Sequence, residues 1–187
     1  MSRSPKPLPL IADLEQYEPW NAVEAAHYQA ILSLLHAHPA PFDRQCYEPG
    51  HITASTWILA EDTGQVALIY HRAAQRWLQP GGHPEAGECD GLSTALREAK
   101  EELGLEIERS RAALFDLDVH SIPATATQPT HQHFDLRYLC WVTHQPLSSG
   151  SDAAAARWFT RVELEAIGLT ENMKRLLDKR SQGLKRV

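Results

Sequence analysis

Three glutamates define the chemistry most open to this chain. Glu98, Glu101 and Glu102 stand at i, i+3 and i+4 within LSTALREAKEEL. That spacing puts their carboxylates on one helix face. Like charges so placed repel one another and weaken the helix, and a cation between them reverses the sign. Carboxylate oxygens suit a hard divalent ion such as Mg²⁺ or Mn²⁺. The plain alternative is an amphipathic helix with a solvated acidic face.

A second group of polar residues alternates along a strand-like run. His131, His133, Asp135 and Arg137 interleave with Gln132, Phe134, Leu136 and Tyr138, so the first four share one face. Asp116, Asp118 and His120 do the same in the preceding strand. If the two strands pair as a hairpin, their polar faces adjoin. Part of that face would then line a cleft and bind phosphate or a leaving group, with Arg137 suited to bidentate phosphate contact. The competing reading is a solvated face or an internally satisfied hydrogen-bond network. The His-x-His pair is also half of a transition-metal site, without a settled third ligand.

The elements that must position these groups follow from pattern. Leu92, Ala95, Leu96, Ala99 and Leu103 form the apolar side of the glutamate helix, which docks and turns the acidic side to a cleft. Gly104 suits a left-handed C-terminal cap, and Asp90 or Ser93 could cap the N-terminus. Ahead of the helix lies the Gly81-Gly82 turn, with His83 and Glu85 placed to touch a substrate.

Together this stretch, GGHPEAGECDGLSTALREAKEELGL, resembles the Nudix box, Gx5Ex7REUxEExGU with U a bulky aliphatic. Gly82, Glu88, Arg97, Glu98, Glu101, Glu102, Gly104 and Leu105 fall on its fixed positions. One extra residue separates Glu88 from Arg97, and Ala99 replaces a larger aliphatic. Outside the box, HITASTW, WLQPGGH and HQHFDLR are similar to a subgroup of the same family. The resemblance implies Mg²⁺-dependent hydrolysis of a nucleoside diphosphate linked to another moiety, by attack of a metal-activated water on phosphorus. It implies metal ligands at Glu98, Glu101, Glu102 and the Gly81 carbonyl, with Glu88 as an outer ligand or support. Arg97 would orient a glutamate. Glu101 or Glu98 would serve as base, with His133, Asp135 or an acid near Asp152 also eligible. Two alternatives stand beside it: a catalytically weak nucleotide-binding sensor, and the isopentenyl diphosphate isomerase branch of the fold. The isomerase needs a catalytic cysteine, and Cys46, Cys89 and Cys140 have no convincing context.

Composition narrows the classes. The chain has 187 residues, 43% hydrophobic and 22% charged, with a formal charge of −6. That size and balance suit a globular fold with a sizeable core. The negative charge argues against broad binding to nucleic-acid polymer. Three scattered cysteines signal neither a disulfide framework nor a zinc site. No apolar run is long enough for a membrane span, so a cytoplasmic protein is expected, with a homodimer as the default assembly.

The pass along the chain gives an N-terminal extension over 1–49 and a Nudix domain over 50–187. Within the extension, a proline-rich extended arm is expected to Tyr17, then a helix over 22–37 opened by the capping pair Asn21 and Glu24. Strands follow at 51–60, 65–72, 76–78, 112–121, 131–142 and 156–159. Thr160 with Glu163 forms a capping box for a short helix, and Thr170 opens a last one. The expected fold is an α/β/α sandwich around a mixed sheet, with the N-terminal helix added.

Overall fold

The computed structural model describes residues 9–150 and 153–181. Its elements are α1 (Pro9–Glu15), α2 (Ala22–Ala37), β1 (Gly50–Ala60), β2 (Val66–His71), β3 (Arg76–Leu78), β4 (Gly81–Gly82), α3 (Leu92–Leu103), β5 (Ala112–Ile122), β6 (His131–Val142), β7 (Ala153–Phe159), α4 (Arg161–Ala166) and α5 (Glu171–Ser181). The described residues form one seven-stranded sheet in the order β3-β2-β1-β6-β5, with β4 beside β1 and β7 beside β2.

β1 is buried along its whole length, as befits a central strand with neighbours on both edges and layers on both faces. It runs parallel to β6, with partners from Gly50↔Gln132 to Ala60↔Val142. β5 and β6 form the expected antiparallel pair, bulged between Leu114 and Asp116. β1 and β2 make a hairpin across the Asp62-Thr63-Gly64 turn, where Gly64 takes a φ of 72°. β7 begins earlier than expected, at Ala153, because its alanines pair with β2 although they lack strand propensity.

Helices cover both faces. Ala95, Ala99 and Leu103 of α3 share a core with Leu10, Ile31, Ile52, Ile58 and Leu136. Met173, Leu176 and Leu177 of α5 and Leu164 of α4 pack with Trp57, Leu139 and Phe159 on the other side. A mixed sheet between these layers is the α/β/α sandwich expected.

The N-terminal region differs from its sequence reading. The expected extended arm is helical from Pro9, and Leu10, Ile11 and Leu14 are buried. Proline is tolerated where a helix begins, because the missing N–H would have no partner there. Pro5 and Pro7 lie outside the described residues. Asn21 caps α2, accepting from the Glu24 amide at 2.9 Å. Glu24 does not return that bond. Its side chain turns into the core and accepts from Lys179 Nζ at 2.6 and 2.8 Å, from the Leu117 amide at 3.2 Å and from the Tyr17 hydroxyl. Burial resists its charge, but the hydrogen bonds from Lys179 and Tyr17 outweigh that and hold the carboxyl below its ordinary range. The pair clamps α2 and α5 together beside β5. Among the described residues, no helix is long and apolar enough to cross a membrane.

Candidate active site

α3 presents its carboxylates because both of its ends are fixed. Gly104 takes a φ of 70°, and its N–H reaches the carbonyls of Ala99 and Lys100. The N-cap is Gly91, without a side-chain cap bond, rather than Asp90 or Ser93; Asp90, one residue earlier, accepts from the Ser93 amide at 2.6 Å. With Ala95 and Ala99 fully buried, small side chains let the helix sit close to the sheet.

Opposite the helix, β4 lies against β1 with Gly82 facing Ala54 and Gly81 facing Ser55. A Cβ on Gly81 would sit 2.7 Å from the Ala54 carbonyl oxygen, and one on Gly82 would collide with the Glu98 carboxylate. Only glycine permits this approach. The Gly81 amide donates to Glu102 Oε2 at 2.9 Å. The double-glycine turn is therefore packed directly onto the acidic face.

Arg97 joins the parts. Its guanidinium reaches Glu88 Oε1 at 3.1 Å, Glu98 Oε1 at 2.9 Å and Glu101 Oε2 at 3.0 Å. Nη2 donates to the His83 carbonyl at 2.8 Å. Burial opposes the charge on Arg97, but the bonds to Glu88 and Glu98 more than compensate. Glu88 is anchored in turn, accepting from Thr94 Oγ1 at 2.8 Å and the Glu85 amide at 2.9 Å. The extra residue before Arg97 is thus absorbed without separating the two side chains. Burial pushes the Glu98 carboxyl up, against the pull of Arg97. Glu101 is the most open of the three glutamates, with 54% of its side chain exposed.

These groups open onto a cleft of about 1360 Å³. Glu98, Glu101, Glu102, Gly81, His83, Glu85 and Arg97 line it, as do His133, Asp135 and Arg137, whereas Glu88 and His131 are not part of the lining. Arg44, Arg76 and Lys174 add cationic side chains to the lining. Trp20 joins them there, from the turn before α2. No cysteine lines the cleft among the described residues, and the buried Cys140 thiol is pushed up to about 12 by desolvation.

Arg137 and the aspartates of the strand constellation bond to one another. Arg137 is 1% exposed. It donates to Asp135 at 3.0 Å, Asp116 at 3.3 Å, Asp118 at 2.8 Å and the Asn172 carbonyl at 3.3 Å. Arg175 adds two bonds to Asp116, at 2.8 and 2.7 Å. Asp135 accepts from Thr53 Oγ1 at 3.1 Å and Ser55 Oγ at 2.7 Å. Burial alone would raise the Asp118 carboxyl, but His120, Arg137 and Arg175 hold it far below its ordinary range. Guanidinium donors committed to three carboxylates tie β5 and β6 together at the wall of the cleft.

His83 and His133 meet at the inner end of the cleft, with Nε2 atoms 3.3 Å apart. Desolvation, followed by repulsion from neighbouring histidines, pushes His133 down to about 2 and His83 down to about 4. Sequence reasoning missed His51, Thr53, Ser55 and Arg175. The alternation in HITAST did place the first three on one side, but a strand buried on both faces hides such a signal. Asp152 lies outside the described residues.

The α3 carboxylates suit a hard divalent cation. The donors are oxygens, they face a cleft, and the turn opposite is kept free of side chains where a Cβ would meet Glu98.

Comparison with known proteins bears on the family and the fold. The NUDIX domain model matches residues 49–179. No curated protein matches by sequence. Among solved structures, the NUDIX domain of Shewanella oneidensis NrtR complexed with ADP ribose aligns at TM-score 0.57 and 13% identity, covering 83% of this chain and 98% of that one. A MutT NUDIX hydrolase from Burkholderia pseudomallei aligns at TM-score 0.55 and 23% identity, covering 68% and 95%. The E. coli dihydroneopterin triphosphate pyrophosphohydrolase aligns at TM-score 0.52 and 16% identity, covering 68% and 92%. At these identities the structures speak to the fold.

Proposed function

Because the chain belongs to the NUDIX domain family and is a Nudix hydrolase, we propose that it hydrolyses a nucleoside diphosphate linked to another moiety, in a Mg²⁺-dependent reaction. The observation that carries this reading is the contact of the Gly81-Gly82 turn with Glu98 and Glu102, braced by Arg97, at the wall of a large cleft. Glu98, Glu101, Glu102 and the Gly81 carbonyl would hold the metal. A bound divalent ion supplies charge neutralisation on phosphorus and a lowered pKa for water.

The chain's own residues divide the remaining work. Glu98 or Glu101 takes the proton of the attacking water, since both share Arg97 and both face the cleft. Arg97 keeps the two carboxylates at fixed positions, and Glu88 keeps Arg97 there. Arg44, Arg76 and Lys174 draw the anionic substrate toward the cleft. Trp20 offers a surface for a nucleobase. Arg137 is a positioning residue that stiffens the strand carrying His133 and Asp135.

The test is a hydrolysis screen over nucleoside diphosphate derivatives with Mg²⁺ or Mn²⁺, beside Glu98→Gln and Glu101→Gln. Metal-dependent turnover that collapses in either variant supports the reading. Turnover untouched by both would rule out the α3 carboxylates as catalytic groups.

A further inference from the structure

One cluster plays no part in the chemistry above. His51 of β1, His131 and His133 of β6, and His83 just after β4 converge beside the cleft, with His51 and His131 buried and His83 and His133 half-buried. The ring centroids of His51 lie 5.0 Å from His83, 5.0 Å from His131 and 4.9 Å from His133. A ring nitrogen of each of His51, His131 and His133 lies within 4.8 Å of the other two. The parallel pairing of β1 with β6 sets His51 opposite His133, and β4 brings His83 in from the other edge of β1.

The outer nitrogens are held by the backbone. His51 Nδ1 pairs with the Cys46 carbonyl at 2.9 Å, and His131 Nδ1 with the Pro129 carbonyl at 2.9 Å. A carbonyl accepts only, so each Nδ1 carries the proton and each Nε2 is left as a bare lone pair aimed inward. Among the described residues, His51 Nε2 is buried without any hydrogen-bond partner. His133 Nε2 lies 3.3 Å from both His131 Nε2 and His83 Nε2. One proton on His133 can serve only one of those neighbours. Imidazoles alone therefore leave inward lone pairs unmatched, a costly state in a buried site.

A cation between His51, His131 and His133 meets these three lone pairs together. A tetrahedral ion with metal–nitrogen bonds of about 2.0–2.1 Å sets neighbouring ligand nitrogens about 3.3–3.4 Å apart. His133 stands at that separation from His131, and a His51 ring nitrogen lies within 4.8 Å of both. Backbone carbonyls on the far ring nitrogens are also how metal-binding histidines are oriented. Imidazole donors select a borderline-soft transition ion over Mg²⁺, which favours oxygen.

We propose that His51, His131 and His133 form a site for one transition-metal cation of the Zn²⁺ class, separate from the α3 carboxylates, which ties β1 to β6, with His83 against His133 at its edge. The link to the box runs through His83, whose carbonyl accepts from Arg97. Tyr47 lies over the site, its ring centroid 5.1 Å from that of His131.

The test uses tag-free full-length protein, prepared without chelator and dialysed against excess Mg²⁺ to fill oxygen sites. Elemental analysis should find one equivalent of zinc per chain. X-ray absorption should show histidine nitrogen ligation, and Co²⁺-substituted protein should show the intense visible bands of a tetrahedral ion. His51→Ala and His131→Ala should each lose the metal, whereas Glu101→Gln and the distant His144→Ala should keep it. Stripping the metal should lower the melting temperature of the wild type and not of His131→Ala. If a variant fails to fold, the ligation measured on the wild type decides. Oxygen-dominated ligation, no zinc uptake by stripped wild-type protein, or equal retention by His131→Ala would overturn the proposal. Loss of turnover in Glu101→Gln has no bearing on it, so the two readings fail separately.

Discussion

Glu24→Ala is predicted to unfold the protein more than any surface change. Glu24 is fully buried and Lys179 is 4% exposed. The carboxylate takes both contacts from Lys179 Nζ, the amides of Trp20 and Leu117, and the Tyr17 hydroxyl. Truncation leaves the buried ammonium with Tyr17 at 2.8 Å and the more distant Asp116 at 3.9 Å, and takes an acceptor from two amides. Breaking a buried pair from one side costs about 3–5 kcal/mol. For a chain of this size each kcal/mol moves the melting temperature by about 2–4 °C, so the shift should be roughly 6–20 °C. Urea unfolding followed by circular dichroism measures the free energy directly. Replacing both partners, as in Glu24→Gln with Lys179→Met, should recover much of the loss, because no charge is then left unpaired. A single-variant loss below about 1 kcal/mol would refute the reasoning. It would mean that water reaches the pair and that α2 and α5 are not clamped together.

Gly82→Ala should leave the melting temperature nearly unchanged but cut turnover by roughly 10²-fold, since the new methyl displaces the Glu98 carboxylate; wild-type kinetics would discount the contact. Arg137→Met leaves Asp116, Asp118 and Asp135 short of a cation. It should cost about 3–5 kcal/mol by urea titration, and a stable variant with only a raised KM would favour a phosphate-binding role instead. Acid should destabilise the metal-stripped protein. His83 and His133 titrate below the ordinary histidine value of 6.5, so the unfolded chain binds protons first. Their contribution is complete above about pH 6.5 and is lost as pH falls toward the folded values. From about pH 7 to about pH 5 each should cost roughly 2 kcal/mol, read as a falling urea midpoint; a flat profile would contradict their burial.

Local pattern carried much of this architecture. The glutamate spacing, the alternation along 112–121 and 131–142, and the Thr160–Glu163 capping box all report interactions between residues near in sequence. What escaped depends on distant partners. Asn21 and Glu24 have the spacing of a capping pair, yet Lys179 draws the Glu24 side chain inward from 155 residues away. Arg137 has the chemistry of a phosphate ligand, and only the register against Asp116 and Asp118 shows where its donors go. His51 reads as an ordinary strand residue until β1 is laid parallel to β6. A parallel pairing leaves no turn between its strands and so no local trace.

That parallel pairing also shapes how the chain reaches its native state. β1 can close on β6 only after the partner of Thr53, Asp135, has been synthesised 82 residues later. At about 5–20 residues per second, the delay is roughly 4–16 s on the ribosome. β2 and β4 can protect one edge of β1 early, since both follow it closely. The other edge, flanked by apolar side chains, stays bare for the whole interval. One edge of β1 is thus still bare while α3 is being made.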